Sequence, residues 1–304
     1  MDISVVLVTF NRLDCLKLSL KQFSSQSYKP KRIIVVNNCS TDGTDDFLAQ
    51  WEEEIESFEK IVIKTEKNLG GAGGFATGLN KASEFTDTDW IWLSDDDAYL
   101  VPDTLKKLKD VYESSLKNEE ISALFTSVVN KGKFDLDHRR VVKKSITGVR
   151  FIPVPEENYS KPFFEIHQGS YVGMLVKSEL IRKHGITRDD LFIYYDDTEH
   201  CERLRKFGKL ICIPSSIVNH DVFADSSFSW KSYYGSRNST ILISDYYGKY
   251  YAYMNVLKRY LKYVSPFSKN SKRIKRMLKA GLRDGLAGKT GLHDEYKPGW
   301  QVEE

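Results

Sequence analysis

No stretch of this 304-residue chain approaches the ~18 to 20 uncharged apolar residues that cross a bilayer, which argues against an integral membrane protein. The first apolar run, Ile3 to Phe10, is short, follows Asp2 and closes on Asn11-Arg12. It has neither the basic start nor the small-residue cleavage site of a secretory leader, and reads instead as a first buried strand. Cysteine is sparse. Cys15, Cys39, Cys201 and Cys212 lie scattered, with no CxxC pair and no histidine at zinc spacing. A disulfide framework is therefore not expected, and a reducing cytosol fits best. One-sided charge is lacking too: 45 basic against 42 acidic residues leave +3, which by itself suggests no nucleic-acid partner. Repeats and low-complexity tracts are absent. What is present is 41% hydrophobic residues over a length that suggests two domains, or one with an extension, which excludes a disordered chain.

Apolar β-branched runs alternate with helix-period segments through the first half of the chain. Strands are expected at Ile3–Phe10, Arg32–Asn37, Ile61–Thr65 and Trp90–Leu93, with helices at Leu13–Gln26, Thr44–Ser57 and Phe75–Phe85 between them. Continuous rather than alternating apolar strands argue for a parallel sheet covered by helices on both faces. Ligands in such sheets bind beyond the carboxyl ends of the strands. Thr9–Arg12, Asn37–Asp42, Asn68–Gly74 and Asp95–Asp97 all fall there. Further strands are expected at Ala123–Val129, Tyr171–Val176 and Leu210–Pro214 in a less regular middle.

The last quarter changes character. From Lys231 to Lys289 there are 14 Lys and Arg against two Asp, a net +12 that leaves the rest at −9, and nine of the 17 tyrosines lie there. Trp230–Val264 reads as one or two helices and Lys269–Leu286 as a basic amphipathic helix. A solvated charged face explains such a run, and nucleic-acid binding lacks any module pattern here. A helix with Leu, Tyr, Met and Ile on one face and Lys and Arg on the other suits an anionic membrane surface, the reading preferred for this segment.

Three motifs carry chemistry. Asp95-Asp96-Asp97 follows an apolar strand directly; adjacent carboxylates repel one another unless a cation is present, and hard divalent cations take oxygen ligands. A solvated acidic loop leading to the next helix is the plainer reading. Asn68-Leu-Gly-Gly-Ala-Gly-Gly74 follows a strand and opens a helix, where glycines permit close approach and helix amides favour phosphate. It follows the third strand, not the first, so a dinucleotide fingerprint is disfavoured. In Tyr194-Tyr-Asp-Asp-Thr-Glu199, Asp196, Asp197 and Glu199 crowd a helix start beside two tyrosines, an environment able to raise a carboxylate toward a useful base. Favourable acids in a first helical turn are the alternative. Of six histidines, His220 stands out after the apolar run Ile211–Val218. His167 is placed near the site by its neighbours Gln168-Gly-Ser170, whereas His138, His184, His200 and His293 read as surface residues.

Together, Val8-Thr-Phe-Asn-Arg12, Val35-Val-Asn-Asn-Cys-Ser-Thr-Asp-Gly43, Asn68-Leu-Gly-Gly71, Leu93-Ser-Asp-Asp-Asp97 and Asp196-Asp-Thr-Glu199 resemble the inverting glycosyltransferase family 2, of the GT-A fold. The resemblance covers residues 3 to about 220 and is nearest to bacterial galactofuranosyltransferases, with rhamnosyltransferases close behind. Tyr233-Tyr-Gly-Ser-Arg-Asn238 and Gly281-Leu-Arg-Asp-Gly-Leu-Ala-Gly288 also look like that subgroup. It implies an α/β catalytic domain over residues 1–225, Rossmann-like with a mostly parallel sheet flanked by helices, and a helical, basic region over 226–304 that meets acceptor and membrane. Thr9, Phe10, Asn11, Arg12, Asn38 and Asp42 would hold base and ribose. Asn68, Gly70 and Gly73 would lie near ribose and diphosphate, with Asp96 also on the donor side. Asp95, Asp97 and His220 would carry Mn²⁺ or Mg²⁺. Asp197 would be the general base, with Asp196 beside it and Glu199 supporting it or binding acceptor. One departure is Asn37, where many family members have Asp.

The implied reaction moves a sugar, galactofuranose from a UDP donor in the first instance and rhamnose from dTDP in the alternative. It would act on a lipid-linked glycan at the inner face of the cell membrane. A sugar-phosphate nucleotidyltransferase would need a Gly-rich basic loop after the first strand, and Thr9–Asp14 has no glycine. A non-catalytic sugar-nucleotide binder would be expected to lose one of the two acidic clusters, and both are present.

Overall fold

Runs of Val, Ile and Leu with no polar interruption have nowhere to go but between two layers, and this is how the first strands fold. The computed structural model describes residues 1–220 and 227–302. In chain order it contains β1 (Ile3–Thr9), α1 (Leu13–Ser24), β2 (Arg32–Asn37), α2 (Thr44–Glu53), β3 (Glu59–Lys64), α3 (Gly70–Ser83), β4 (Trp90–Asp95), β5 (Tyr99–Leu100) and α4 (Thr104–Val111). Then come β6 (Ile121–Asn130), β7 (Lys133–Phe134), β8 (Arg139–Ser145), β9 (Gly148–Pro153), β10 (Phe164–Ile166), β11 (Gln168–Gly169), β12 (Met174–Lys177), α5 (Ser178–His184), α6 (Asp196–Leu204) and β13 (Lys209–Asn219). The C-terminal region comprises α7 (Lys231–Tyr247), α8 (Lys249–Arg259), a π turn over Tyr260–Val264, and α9 (Lys272–Leu286).

The main sheet runs β10-β13-β6-β12-β4-β1-β2-β3. β3, β2, β1 and β4 are parallel; β12 enters antiparallel between β4 and β6. Every residue of β1 and β2 is buried. Alternate residues point to opposite faces of a strand, so Val5, Leu7, Ile33 and Val35 join one apolar core while Val6, Val8, Ile34 and Val36 join another. All the strands and helices expected in residues 1–95 are present. α3, however, begins at Gly70, five residues earlier than its apolar pattern suggests, so the glycine run is helix rather than loop. A Cβ on Gly74 would meet Val8 at 2.6 Å and one on Gly78 would meet Val6 at 2.2 Å, which is how α3 lies so close to β1.

Two features depart from expectation in the middle and the tail. β8 and β9 form a hairpin, joined by β11 in a separate small sheet, where no strands were expected. The apolar face of α9 is not free: Met277, Leu278 and Leu282 are buried against Tyr233 and Tyr234 of α7. Gly281 and Gly285 bring the two helices together, since a Cβ on either would stand 2.6 Å from a carbonyl oxygen of α7. The cationic face of α9 looks outward. Among the described residues no helix is long and apolar enough to cross a membrane. The domain boundary expected between residues 225 and 226 lies outside the described residues.

Candidate active site

The carboxyl ends of β1, β2 and β4 lie side by side, and the chain after each is tied to its neighbours by side-chain bonds. Asn38 donates its backbone N–H to the Thr9 carbonyl at 2.9 Å. The Asn11 side chain accepts from Thr41 N at 2.7 Å, and Asp42 accepts from Leu13 N at 2.9 Å and Thr44 Oγ1 at 2.6 Å. Asp42 thus caps the starts of α1 and α2; burial opposes its ionisation, but these bonds outweigh that and lower its pKa. Asn37 donates to Asp45 at 2.6 Å and accepts from Ser40 N at 3.1 Å. An Asp at 37 would set a carboxylate against Asp45, which accounts for the amide there.

Several residues expected to face a nucleotide face the protein. The Asn38 side chain is buried; its amide donates to Gly70 O at 3.0 Å and Asn68 Oδ1 at 3.3 Å, and its oxygen accepts from Leu69 N at 2.9 Å and Thr65 Oγ1 at 3.2 Å. It braces the Asn68–Gly70 turn with every donor and acceptor it has. Gly70 has φ +73°, and a Cβ there would stand 2.1 Å from the Phe192 carbonyl oxygen; a Cβ on Gly73 would meet its own Leu69 at 2.5 Å. These glycines serve packing, and of the run only Gly71 has open space at Cβ. The side chains of Phe10, Asn11 and Arg12 are exposed at the edge.

Asp95, Asp96 and Asp97 form the acidic centre. Thr9 Oγ1 donates to Asp96 at 2.6 Å, and Arg12 bonds both Asp97 and, at 3.4 Å, Asp96. His220 Nε2 lies 3.4 Å from Asp97. Burial first, then the charges of Asp97 and Asp96, raise Asp95 to about 7. Burial also lifts Asp96 to about 6 against the pull of Thr9 and Arg12. For Asp97, burial is outweighed by His220 and Arg12, and its pKa falls to about 2. This electrostatic division leaves one carboxylate firmly charged and two reluctant to charge. Among the described residues no three His, Cys, Asp or Glu side chains stand in ligating geometry, and Arg12 pairs with Asp97. The donor chemistry nonetheless fits a hard or borderline divalent ion: two carboxylates crowded together, and a half-buried His220 whose buried Nδ1 has no hydrogen-bond partner among the described residues.

The second acidic group stands on the first turn of α6. Asp196 is buried, and burial plus the charge of Asp197 raise its pKa well above the usual carboxylate range. Burial raises Asp197 also, against bonds from Thr198 N and Oγ1. Asp197 lines a cavity of about 200 Å³ with His138, Arg140 and Ser170. His138 packs its ring edge-on against His220, 5.3 Å between centroids, so the cavity adjoins the Asp97 side of the acidic centre. Glu199 is buried, accepting from Tyr246 OH at 2.6 Å and Arg203 at 3.2 Å. One oxygen ties α6 to Tyr246 of α7 and the other pairs with Arg203 one turn along the same helix, and Glu199 does not line the cavity.

Sequence reasoning missed part of this. His138, read as a surface residue, is largely buried, bonded to Ser170 at 2.6 Å and held neutral near a pKa of about 3 by burial and Arg139. His200 is also fully buried, on Tyr171, while His167 accepts from Val142 N at 2.9 Å in the hairpin and does not line the cavity. His293, also read as surface, packs on Tyr233 and Tyr296. Lys231, at the start of α7, feels the charges of Arg12, Asp95 and Asp97; burial lowers its pKa. Phe192, Tyr194 and Tyr195 have φ of +66°, +65° and +69°, an uncommon conformation for bulky side chains. Buried Asn238 holds this strap by donating to the carbonyls of Leu191, Ile193 and Tyr194 at 2.9 to 3.0 Å, and Arg237 also donates to Leu191. The Tyr-Tyr-Gly-Ser-Arg-Asn238 run is a legible signal for it, though its role is not.

The architecture is that of the GT-A glycosyltransferases. The fold superposes on GalNAc-T7 in complex with UDP, GalNAc and Mn²⁺ (TM-score 0.64, 14% identity, 92% of this chain and about half, 54%, of that one). It also superposes on S. aureus TarS 1-349 with UDP-GlcNAc (0.58, 15%, 94% and 80%) and on the mannosyltransferase PcManGT from Pyrobaculum calidifontis with GDP-Man and Mn²⁺ (0.55, 16%, 94% and 86%). Residues 4–175 match the family model described as Glycosyl transferase family 2, and the chain belongs to that family. Among curated relatives it is 26% identical to galactofuranosyltransferase GlfT1 of Mycolicibacterium smegmatis, over 83% of this chain and 81% of the relative. It is 36% identical to GlfT1 of Mycobacterium tuberculosis H37Rv over 32% of this chain and 31% of that one.

Proposed function

We propose that the protein is an inverting, metal-dependent galactofuranosyltransferase that uses UDP-galactofuranose to extend a lipid-linked glycan at the cytoplasmic membrane face. The observation that carries the catalytic part is the cavity wall formed by Asp197: a carboxylate of raised pKa, open to a space for an acceptor hydroxyl and adjoining a strand-end acidic centre. The likeness to GlfT1 supports the sugar. Residues 1–225 serve as the catalytic domain and 226–304 as the region that meets acceptor and membrane.

In this reading Thr9, Phe10, Asn11 and Arg12 bind base and ribose, with Asp42 fixing their loop, while Asn38, Asn68, Gly70 and Gly73 shape the neighbouring turn. Asp95, Asp97 and His220 would hold Mn²⁺ or Mg²⁺, which when bound neutralises the leaving diphosphate. Asp96, bonded to Thr9 and Arg12, keeps the donor loop against the acidic centre. Asp197 accepts the acceptor hydroxyl's proton as that oxygen bonds the anomeric carbon from the face opposite the diphosphate. The bond to the diphosphate breaks with its electron pair, and the configuration inverts. Asp196 and Glu199 position Asp197 by holding the first turn of α6.

Calorimetric titration with UDP and with dTDP, each with and without Mn²⁺, tests the donor. Tight, Mn²⁺-dependent UDP binding with little for dTDP is expected. A dTDP preference would turn the reading to rhamnosyl transfer, and binding of neither would overturn the donor site.

A further inference from the structure

The C-terminal helices carry a second concave surface. A groove of about 560 Å³ runs along the outward face of α9, bordered by Tyr260 of the π turn. Lys272, Lys275, Arg276, Lys279 and Arg283 line it at a spacing that keeps them on one side of the helix. Glu295 is the single carboxylate among the residues lining it and pairs with Arg276 at 3.5 Å. Arg283 pairs with the buried Asp284, whereas Lys272, Lys275 and Lys279 have no ion-pair partner among the described residues. Like charges so placed repel unless an anion lies among them.

Beside the groove, apolar groups stand in water. Leu257 and Leu261 are 50% and 59% exposed, and Phe267, between the π turn and α9, is 94% exposed. Tyr260 belongs to both surfaces, lining the groove and standing partly exposed next to Leu261. A soluble polyanion would use the cations and leave these side chains without a role. An anionic amphiphile uses both, since phosphate head groups match the lysines and the acyl boundary takes Leu and Phe. The cations also span roughly three turns of helix, about 16 Å at 1.5 Å per residue, longer than one head group.

We propose that this face docks on an anionic phospholipid bilayer, with head-group phosphates in the α9 groove and Leu257, Tyr260, Leu261 and Phe267 entering the interface. This deepens the membrane-face reading above but stands apart from the chemistry, because bilayer binding needs no donor. It also replaces the apolar face of α9, which is buried, with the end of α8 as the inserting element.

Co-flotation of the full chain with phosphatidylcholine vesicles, with and without phosphatidylglycerol, tests it. Binding only to the anionic vesicles is expected, weakening as salt rises. Lys275→Gln with Lys279→Gln should lower the affinity roughly 30-fold. Leu261→Ser with Phe267→Ser should lower it by at least about tenfold while leaving the salt dependence in place. Both pairs lie on the surface, and unchanged thermal midpoints and UDP titrations establish that fold and donor site are intact. Equal binding to neutral vesicles, or indifference to both pairs of substitutions, overturns the proposal. Displacement from vesicles by micromolar inorganic pyrophosphate would make the groove a site for free phosphate, and equal affinity for duplex DNA would make it a general polyanion surface; either result also overturns it.

Discussion

Asp95–Asp97 and Asp196–Asp197 stand on neighbouring walls of one site, yet they are put there differently. The first group ends β4, a strand hydrogen-bonded between β1 and β12 and buried on both faces, so its position follows from the sheet. The second begins a nine-residue helix entered through three residues of positive φ, and its position depends on Asn238, whose bonds reach back 44 to 47 positions. One wall is placed by apolar burial, which is diffuse and tolerant; the other by three polar contacts that fail singly. Sheet-borne groups should therefore survive conservative changes in their surroundings, and strap-borne groups should not.

Changes within the two walls separate the roles most strongly. Asp197→Asn should lower transfer by about 10² to 10⁴-fold with UDP binding retained, measured as turnover beside calorimetry. Near-normal turnover would remove Asp197 as base. Because burial raises its pKa, Asp197 keeps its proton to a pH above the ordinary carboxylate value of ~4. Turnover should thus fall on acidification before that value is reached. Asp97→Ala should weaken UDP and Mn²⁺ binding together by about tenfold or more, with the two titrations losing their mutual dependence.

The comparison itself is tested by Asn238→Ala. It removes the side-chain donor from the Ile193 and Tyr194 carbonyls, while Leu191 keeps Arg237, so stability should fall by about 1 to 3 kcal/mol in denaturant titration. A misplaced Asp197 should also cost turnover, by up to about 10²-fold. Loss of stability without loss of turnover would show that the strap does not aim the base. On the sheet side, Gly78→Ala forces a methyl against Val6 and should cost about 1 to 3 kcal/mol, with the UDP affinity of the folded protein unchanged. The smallest effect is expected at Ile146, 85% exposed in the β8–β9 turn, where Ser should change stability by less than about 0.5 kcal/mol.

How much could be read in advance follows the same division. The strands were legible because Val, Ile and Leu run on without polar breaks, and strand-end loops then follow from the architecture. The β8–β9 hairpin was not: Arg139-Arg-Val-Val-Lys-Lys-Ser145 carries too many cations to look like a strand, and Arg139 is nevertheless buried, donating to the carbonyls of Thr126 and Val172. His138 and His200 sit among charged residues in sequence, and a linear neighbourhood does not report that a turn has folded them inward. The glycine run 70–74 has the composition of a phosphate cradle and of a close-packed helix alike; only the approach of Val8, Leu69 and Phe192 separates the two. For α9, amphipathicity was evident but not which face would be covered, because the tyrosines that cover it lie some forty residues earlier.

The Phe192 carbonyl accepts from Ala72 N at 3.1 Å while Gly70 lies against the same oxygen. That single atom keys α3 to the strap that leads into α6. Anyone grafting the C-terminal helices of a relative onto this catalytic sheet, to transplant acceptor preference, would inherit the joint as a constraint. A graft that exchanges residues 227–302 but leaves 191–195 behind must supply an amide at position 238, and one that carries 191–195 along must find a glycine waiting at position 70. Chimeras built without regard to both seams should fail as assemblies, however well each parent part folds.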